Sequence, residues 1–257
     1  MSDLVICSVA FIASGLTLFS GFGLGTILMP AFALFFPVEV AVGATAVVHF
    51  ANNVFKLGLV GRQVDWKIAV RFGVPAVIAA MIGAALLVYL VQLPTVGEYS
   101  IGSRNYSINA GKLVVAMMLA GFAVLDLVPK FQNLQIDPRY LPVGGILSGF
   151  FGGLSGHQGA LRSAFMIRLG LSKEAFIGTG VVIACAIDVT RLSLYAQRIG
   201  TAGAALNWSL VGWACIAAFL GAYAGSKLIK KVTIEAVQRL VAVMLLTIAV
   251  LLGGGII

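Results

Sequence analysis

The stretch SGHQGA at Ser155–Ala160, together with the arginine that follows it, combines hydrogen-bond donors with small residues. His157 and Gln158 can donate N–H groups, and Arg162, about one helical turn further on, supplies a positive charge. Glycine lets a ligand come close to the backbone, and the first N–H groups of a helix beginning here have no partner within that helix. The pattern predicts an anion site lined by Gly156, His157, Gln158, Gly159 and Arg162.

A related glycine-rich stretch, SGFGLG at Ser20–Gly25, occupies the equivalent place in the first half of the chain. Its backbone is expected to complete the site through Gly21, Gly23 and Gly25, because a second helix would begin immediately after it. This stretch carries Phe22 and Gly23 where the second has His157 and Gln158, so the polar side chains at the tip come from the second half.

The two stretches belong to a repeat that covers the chain. An offset of 135 residues pairs Glu39 with Glu174, Gly43 with Gly178, Asn53 with Asp188 and Lys56 with Arg191. Matches between charged and polar residues carry more weight than apolar matches in so apolar a chain. We therefore predict one membrane domain over residues 1–257, with a first repeat at 1–128, a linker at 129–140 and a second repeat at 141–257.

Charged and polar side chains also recur inside the apolar segments that follow the two stretches. Charge within a membrane is costly, so a role in substrate binding is expected for Asn53, Lys56, Asp188 and Arg191. Structural alternatives stay open, since Lys56 can extend to the near interface and Asp188 can pair with Arg191 three residues later. His49, near the middle of its segment, is a weaker candidate because a buried histidine often serves packing.

The composition explains why the apolar segments that carry these residues must be membrane helices. The chain is 60% hydrophobic and 10% charged, with a mean hydropathy of +1.06, which leaves too little polar surface for a soluble globule. A helix satisfies its backbone hydrogen bonds within one segment, as a lipid environment requires. The formal charge of +8 comes from short loops beside apolar segments, which indicates membrane orientation rather than a nucleic-acid partner.

Six segments have the length of one crossing: 38–60, 68–91, 110–128, 175–197, 207–226 and 236–257. The leading segments 4–36 and 141–171 are long for one crossing, short for two, and interrupted by the glycine-rich stretches. Each is either one long helix, giving eight crossings, or a re-entrant hairpin of half-helices about 15 residues long. The region 92–109 reads as an exterior loop with room for a short β-hairpin.

The distribution of basic residues favours the re-entrant hairpins. With six crossings, most Lys and Arg lie on the cytoplasmic side: Arg62, Lys67, Arg71, Lys130, Arg139, Arg168, Lys173, Lys227, Lys230, Lys231 and Arg239. Arg104, Lys112 and Arg198 then lie outside. Eight crossings would abolish this positive-inside bias. Three crossings per half also make the second repeat inverted relative to the first, as in many secondary transporters.

Two long stretches of the sequence resemble the TauE/SafE sulfite exporter family of membrane permeases. They are SGFGLGTILMPAFALFFPVEVAVGATAVVHFANN and GGILSGFFGGLSGHQGALRSAFMIRLGLSKEAFIGTG, with Glu39, Glu174 and the Gly178-Thr179 step as further shared features. The resemblance implies transport of sulfite, related inorganic sulfur anions or organosulfonates, usually outward. It also implies a multi-pass protein of the cell (inner) membrane whose partners are that small anion and membrane lipid, with no cofactor, and it is compatible with a homo-oligomer.

Other functions remain open at this stage. Gly153-Leu154-Ser155-Gly156 matches the GxSG string of rhomboid-type intramembrane proteases, with His49 as the base that would activate Ser155. His49 and His157 would be the ligands of a haem that bridges two helices. A permease of the same fold for a different small substrate is the third alternative. Repetition of the glycine-rich stretch in both halves favours transport, since a single catalytic serine requires no repeat.

Overall fold

The protein is mainly helical, and the computed structural model describes residues 2–20, 24–60, 63–90, 92–128, 135–201, 207–228 and 234–256. The helices in chain order are α1 (Ser2–Ser20), α2 (Leu24–Ala33), α3 (Val38–Val60), α4 (Trp66–Leu90), α5 (Ala110–Leu127), α6 (Leu141–Ser155), α7 (Gly159–Met166), α8 (Lys173–Thr201), α9 (Trp208–Leu228) and α10 (Ile234–Gly253). Strands β1 (Thr95–Ile101) and β2 (Arg104–Asn109) pair antiparallel between α4 and α5, which confirms the predicted β-hairpin.

Four of the described helices are long and apolar enough to cross a membrane, judged by length and composition. Their spans are Val40–Gly58, Trp66–Leu90, Lys173–Tyr195 and Trp208–Lys227. Helices α5 and α10 contribute the shorter apolar stretches Ala110–Leu125 and Ala242–Gly253 within the described part of the chain. The structure is therefore that of a multi-pass membrane protein, and the full set of six crossings remains a prediction.

Glycines bring α4 and α6 into backbone contact. Gly145, Gly149 and Gly153 lie four residues apart on α6, and a Cβ on each would fall 2.3, 2.0 and 2.1 Å from the carbonyl oxygens of Phe72, Ala76 and Ala80, respectively. Any side chain at these positions would collide with α4. Small residues at this spacing are a common means of packing membrane helices. The rising order of the contacts shows that α4 and α6 run parallel.

Helices α1 and α9 pack in the same way. A Cβ on Gly221 would lie 2.0 Å from the Phe11 carbonyl oxygen, and one on Gly225 would lie 2.7 Å from that of Gly15. These helices are also parallel. The first helix of each half therefore packs extensively on the second long helix of the other half, since α6 lies on α4 and α1 lies on α9.

In two pairs of equivalent helices, α3 with α8 and α5 with α10, the two members run in opposite directions. In the pair α3 and α8, His49 contacts Asp188, whereas Asp65, just beyond α3, donates its backbone N–H to Thr179 near the start of α8. In the pair α5 and α10, a Cβ on Gly253 at the end of α10 would lie 3.3 Å from Ala116 in the first half of α5. Within each of these two pairs, the helices are thus antiparallel.

The chain turns back on itself between α6 and α7. Gly156 ends α6 in the left-handed conformation with φ +84°, which favours glycine. The Ser148 hydroxyl then donates to the carbonyl oxygen of Gln158 at 2.9 Å, and the Phe165 ring covers Gly144 near the start of α6. The prediction of half-helices about 15 residues long agrees with α6, which has 15 residues, but is wrong for α2 and α7, which have only 10 and 8, while α1 has 19.

Candidate functional site

Asp188 lies at the centre of a buried polar cluster between α3 and α8. Its Oδ2 atom is 2.6 Å from His49 Nδ1 and accepts a hydrogen bond from Asn53 Nδ2 at 3.3 Å. Its Oδ1 atom is 3.0 Å from Arg191 Nε and 2.7 Å from Arg191 Nη2. The ion pair of Asp188 with Arg191, which the sequence left open as a structural alternative, is therefore present, and both side chains are 0% exposed.

Gln158 links this carboxylate to the second hairpin. Its Nε2 donates to Asp188 Oδ1 at 3.3 Å, and its Oε1 accepts from Arg162 Nη1 at 3.4 Å. Gln158, which was predicted to donate to a ligand at the tip, thus already makes hydrogen bonds with both the nitrogen and the oxygen of its amide. Gln158 thus connects α8 with Arg162. The Arg162 guanidinium also lies close to Gly180, where an added Cβ would be 3.2 Å from Nε.

Lys56 is buried within the protein rather than extended to an interface. Only 5% of the residue is exposed. With the Asn52 amide oriented to satisfy its neighbours, its oxygen accepts from Lys56 Nζ at 3.3 Å and its nitrogen donates to the carbonyl oxygen of Ala218 at 3.3 Å. Ser14 on α1 lies beside the same amide. Three helices, α1, α3 and α9, thus hold the lysine inside the molecule.

His157 occupies the turn between α6 and α7 and contacts α5. Its Nδ1 lies 3.1 Å from both the carbonyl and the hydroxyl oxygen of Ser155, and its ring stacks on that of Phe122 with centroids 5.1 Å apart. Its Nε2 is buried and has no hydrogen-bond partner among the described residues. One ring nitrogen therefore remains available to a ligand.

The two glycine-rich stretches meet near this cluster. A Cβ on Gly25, in the first turn of α2, would lie 3.5 Å from the Gly156 carbonyl oxygen and 3.6 Å from both His49 Cδ2 and Thr45 Cγ2. Gly156 itself lies against Arg191, whose Nη1 would be 3.1 Å from a Cβ there. The predicted lining residues Gly21 and Gly23 fall outside the described residues.

The amino-terminal end of α7 faces the same region without a side-chain cap. The helix begins at Gly159, and Gln158 before it makes no capping hydrogen bond with its side chain. Backbone N–H groups at such an end carry a partial positive charge and are suited to an anion. The geometry is compatible with the predicted role of Gly159 in lining an anion site, and that role stays a prediction.

Positive charge exceeds negative charge in the buried cluster. The buried acidic side chains and the buried lysines and arginines that the structure describes are three basic groups, Lys56, Arg162 and Arg191, and one carboxyl group, Asp188. Arg191 pairs with that carboxylate, whereas the polar partners given for Arg162 and Lys56 are amide oxygens. A buried cation without a counter-charge is costly, so the cluster is suited to accepting an anion.

The proposed protease pair is not formed. His49 Nδ1 engages Asp188 rather than Ser155, and the Ser155 hydroxyl donates back to the carbonyl oxygen of Phe151 at 3.2 Å. The histidine beside Ser155 is instead His157, which the sequence reading had not paired with it. The structure therefore removes the pairing of Ser155 with His49, while the Ser155 hydroxyl lies between the carbonyl oxygen of Phe151 and Nδ1 of His157.

The sequence reading missed three polar side chains at the cluster. Thr45 is buried one turn before His49, and its hydroxyl has no partner among the described residues. The Tyr195 hydroxyl donates to the carbonyl oxygen of Gly153, and Ser148 anchors Gln158. The four-residue spacing of Thr45 and His49 was a usable signal, because it places both on one face of α3.

A comparison with protein families identifies relatives of the chain. The sequence model described as "Sulfite exporter TauE/SafE" matches residues 6–252, which is nearly the whole chain. No curated protein sequence matches the chain. The family match spans both glycine-rich stretches and every residue of the cluster described above. The chain therefore belongs to the TauE/SafE sulfite exporter family.

Proposed function

We propose that this protein carries a small sulfur-containing anion, sulfite or an organosulfonate, across the membrane by alternating access around the buried cluster. The observation that carries the proposal is the excess of buried positive charge. Arg162 and Lys56 have amide oxygens rather than carboxylates as their described partners. An oxyanion that displaced those amides would supply the missing counter-charge and accept hydrogen bonds from both side chains.

The directions of the helices support two inverted repeats. An even number of crossings per half would orient α3 and α8 the same way, and likewise α5 and α10. The contacts of His49 with Asp188 and of Gly253 with Ala116 instead belong to antiparallel pairs. We infer three crossings and one hairpin in each half, with the two hairpins entering from opposite faces of the membrane.

The hairpin tips then form the centre of the transport path. The turn at Gly156 and the start of α2 at Gly25 are in contact, and the start of α7 adds N–H groups beside Arg162. A site shared by both repeats can open to one side when the repeats move relative to each other. His157 Nε2 and the Thr45 hydroxyl are two buried groups that such a ligand can satisfy.

Outward movement follows from the sign of the charge. An inside-negative potential favours the exit of an anion by about 2.3 kcal/mol per elementary charge per 100 mV. Export therefore requires no coupling ion to be favourable. This direction, and the cell (inner) membrane as the location, form part of the proposal.

A flux assay tests the proposed function. The purified protein is incorporated into liposomes that are loaded with sulfite. Sulfite efflux is then measured with sulfate, thiosulfate or taurine as competitors, and protein-free liposomes give the background rate. We expect protein-dependent sulfite efflux that related sulfur anions inhibit. Efflux no faster than in protein-free liposomes, at confirmed incorporation, would overturn the assignment of sulfite as substrate. Inhibition by only one competitor would restrict the class of substrate to anions that resemble that competitor.

A further inference from the structure

The Asp188 carboxylate is bound by side chains from three parts of the fold. His49 and Asn53 come from α3, Gln158 from the second hairpin and Arg191 from α8 itself. The carboxylate thereby offsets part of the positive charge of the cluster. An anion bound by Arg162 and Lys56 would lie near this carboxylate, because Gln158 contacts both Asp188 and Arg162.

Gln158 couples the carboxylate to the charge that an entering anion would use. One end of its amide binds Asp188 and the other binds Arg162. An anion that draws Arg162 toward itself therefore changes the contact of Gln158 with Asp188. The two negative groups would then lie in one buried site, where like charges raise each other's affinity for a proton.

The surroundings decide what can neutralise the carboxylate. The titratable and charged groups that face this region are His49 and Lys56 on α3, His157 and Arg162 on the second hairpin, and Cys185, Arg191 and Tyr195 on α8. From α4 the neighbours of this part of α8 are apolar, Ala76 and Ala80 against Ile187. Sodium would need several oxygen ligands, whereas the described contacts of Asp188 are all nitrogen donors, so a proton is the cation that fits.

We propose that the buried His49–Asp188 pair is a proton site and that the protein carries one proton together with each anion. This inference rests on the proposed anion transport. The separation of 2.6 Å between His49 Nδ1 and Asp188 Oδ2 makes the two groups one titrating unit, so the proton belongs to the pair. The step is uptake of a solvent proton by the pair when the anion binds and its release when the anion leaves.

The consequence is a fixed charge balance. A divalent sulfite accompanied by one proton crosses with one net negative charge, so the membrane potential still favours its exit, whereas a monovalent organosulfonate and its proton cross with no net charge. A more acidic exterior opposes that exit, which makes transport sensitive to the pH difference. By linkage, anion binding and protonation must strengthen each other to the same degree.

Calorimetry of sulfite binding in two buffers of different ionisation enthalpy measures the protons taken up per anion. The decisive variant is Asp188→Asn, which places in the second repeat the residue that the first repeat has at Asn53. Sulfite's own titration contributes equally to the measurements on both proteins. The difference in the number of protons taken up per sulfite therefore belongs to the His49–Asp188 pair. We expect the wild-type protein to take up about one proton more per sulfite than the variant. Asp137→Asn, an exposed carboxylate, is the matched control and should behave like the wild type.

The outcomes separate this inference from the proposed function. Sulfite binding with equal proton numbers in the wild type and Asp188→Asn would overturn the proton site and leave anion transport standing. No sulfite binding by the wild type would overturn both. If Asp188→Asn does not fold, His49→Gln makes the comparison, because it removes the other member of the pair; an unchanged proton number there overturns the inference.

Discussion

Gly25 and Gly156, one from each half of the chain, face each other beside the buried cluster. A Cβ added to Gly25 would lie 3.5 Å from the carbonyl oxygen of Gly156, which is ordinary van der Waals contact. The start of α2 and the turn after α6 are therefore close enough for a methyl group at position 25 to touch the turn, and a larger side chain would have to displace its neighbours.

The size of the residue at position 25 should control transport. Gly25→Ala fits without displacement and should retain most of the sulfite flux. Gly25→Leu must displace Gly156, His49 or Thr45, and overpacking of this kind typically costs about 1–3 kcal/mol. Flux in liposomes and thermal unfolding in detergent measure both effects. Full flux in Gly25→Leu would show that the hairpin tips do not line the path.

The direction in which the second hairpin enters can be tested by cysteine labelling. The three native cysteines are first replaced by alanine, and single cysteines are then placed at Arg139, Ser172, Leu4 or Phe35, all of which are exposed. A re-entrant hairpin keeps positions 139 and 172 on one face, and the inverted repeat puts positions 4 and 35 on the other. Labelling of 139 and 172 from opposite faces would establish a crossing and remove the inverted repeat.

Backbone contact between α4 and α6 should be intolerant of any side chain. Gly153→Ala places a methyl group 2.1 Å from the Ala80 carbonyl oxygen, so the helices must separate and we expect a loss of about 1–3 kcal/mol in stability. Gly121→Ala on α5 is the matched control, because its Cβ would meet no atom within 4 Å. Thermal unfolding in detergent gives the unfolding temperature of each variant, and we expect the lower one for Gly153→Ala. Equal unfolding temperatures would contradict the close packing.

The hydroxyl of Ser155 should be dispensable for transport. Its hydrogen bond to the carbonyl oxygen of Phe151 stays within α6, and loss of such a bond costs about 1 kcal/mol. Ser155→Ala should therefore keep sulfite flux with a small decrease in thermal stability. Cleavage of a peptide substrate by the wild type that Ser155→Ala abolishes would instead support the protease reading.

Local patterns in the sequence predicted local structure well. The i, i+3 spacing indicated the ion pair of Asp188 with Arg191 as an alternative to substrate binding, because helix geometry places residues at that spacing on one face. The polar and glycine residues of 92–109 predicted a β-hairpin that the structure contains. The turn at Gly156 was predicted from the glycines that interrupt a long apolar segment.

Contacts between distant segments were beyond the reach of these patterns. His49 and Asp188 are 139 positions apart, and their contact depends on how α3 packs against α8. Gln158 was expected to face a ligand, but its two-ended contact with Asp188 and Arg162 follows from the same packing. The short length of α7 was missed because composition alone does not mark where an apolar helix ends.

The most direct test of the anion site compares sulfite flux with folded yield for Arg162→Ala and Arg162→Lys. Hydrogen bonds to charged groups contribute about 1.5–3 kcal/mol, so Arg162→Ala should lower sulfite flux by roughly 10- to 100-fold. Arg162→Lys should recover part of that flux because it keeps the charge. We expect the folded yield of both variants to stay near that of the wild type. Flux and folded yield that fall together, with no recovery by lysine, would contradict the account and make Arg162 a structural residue.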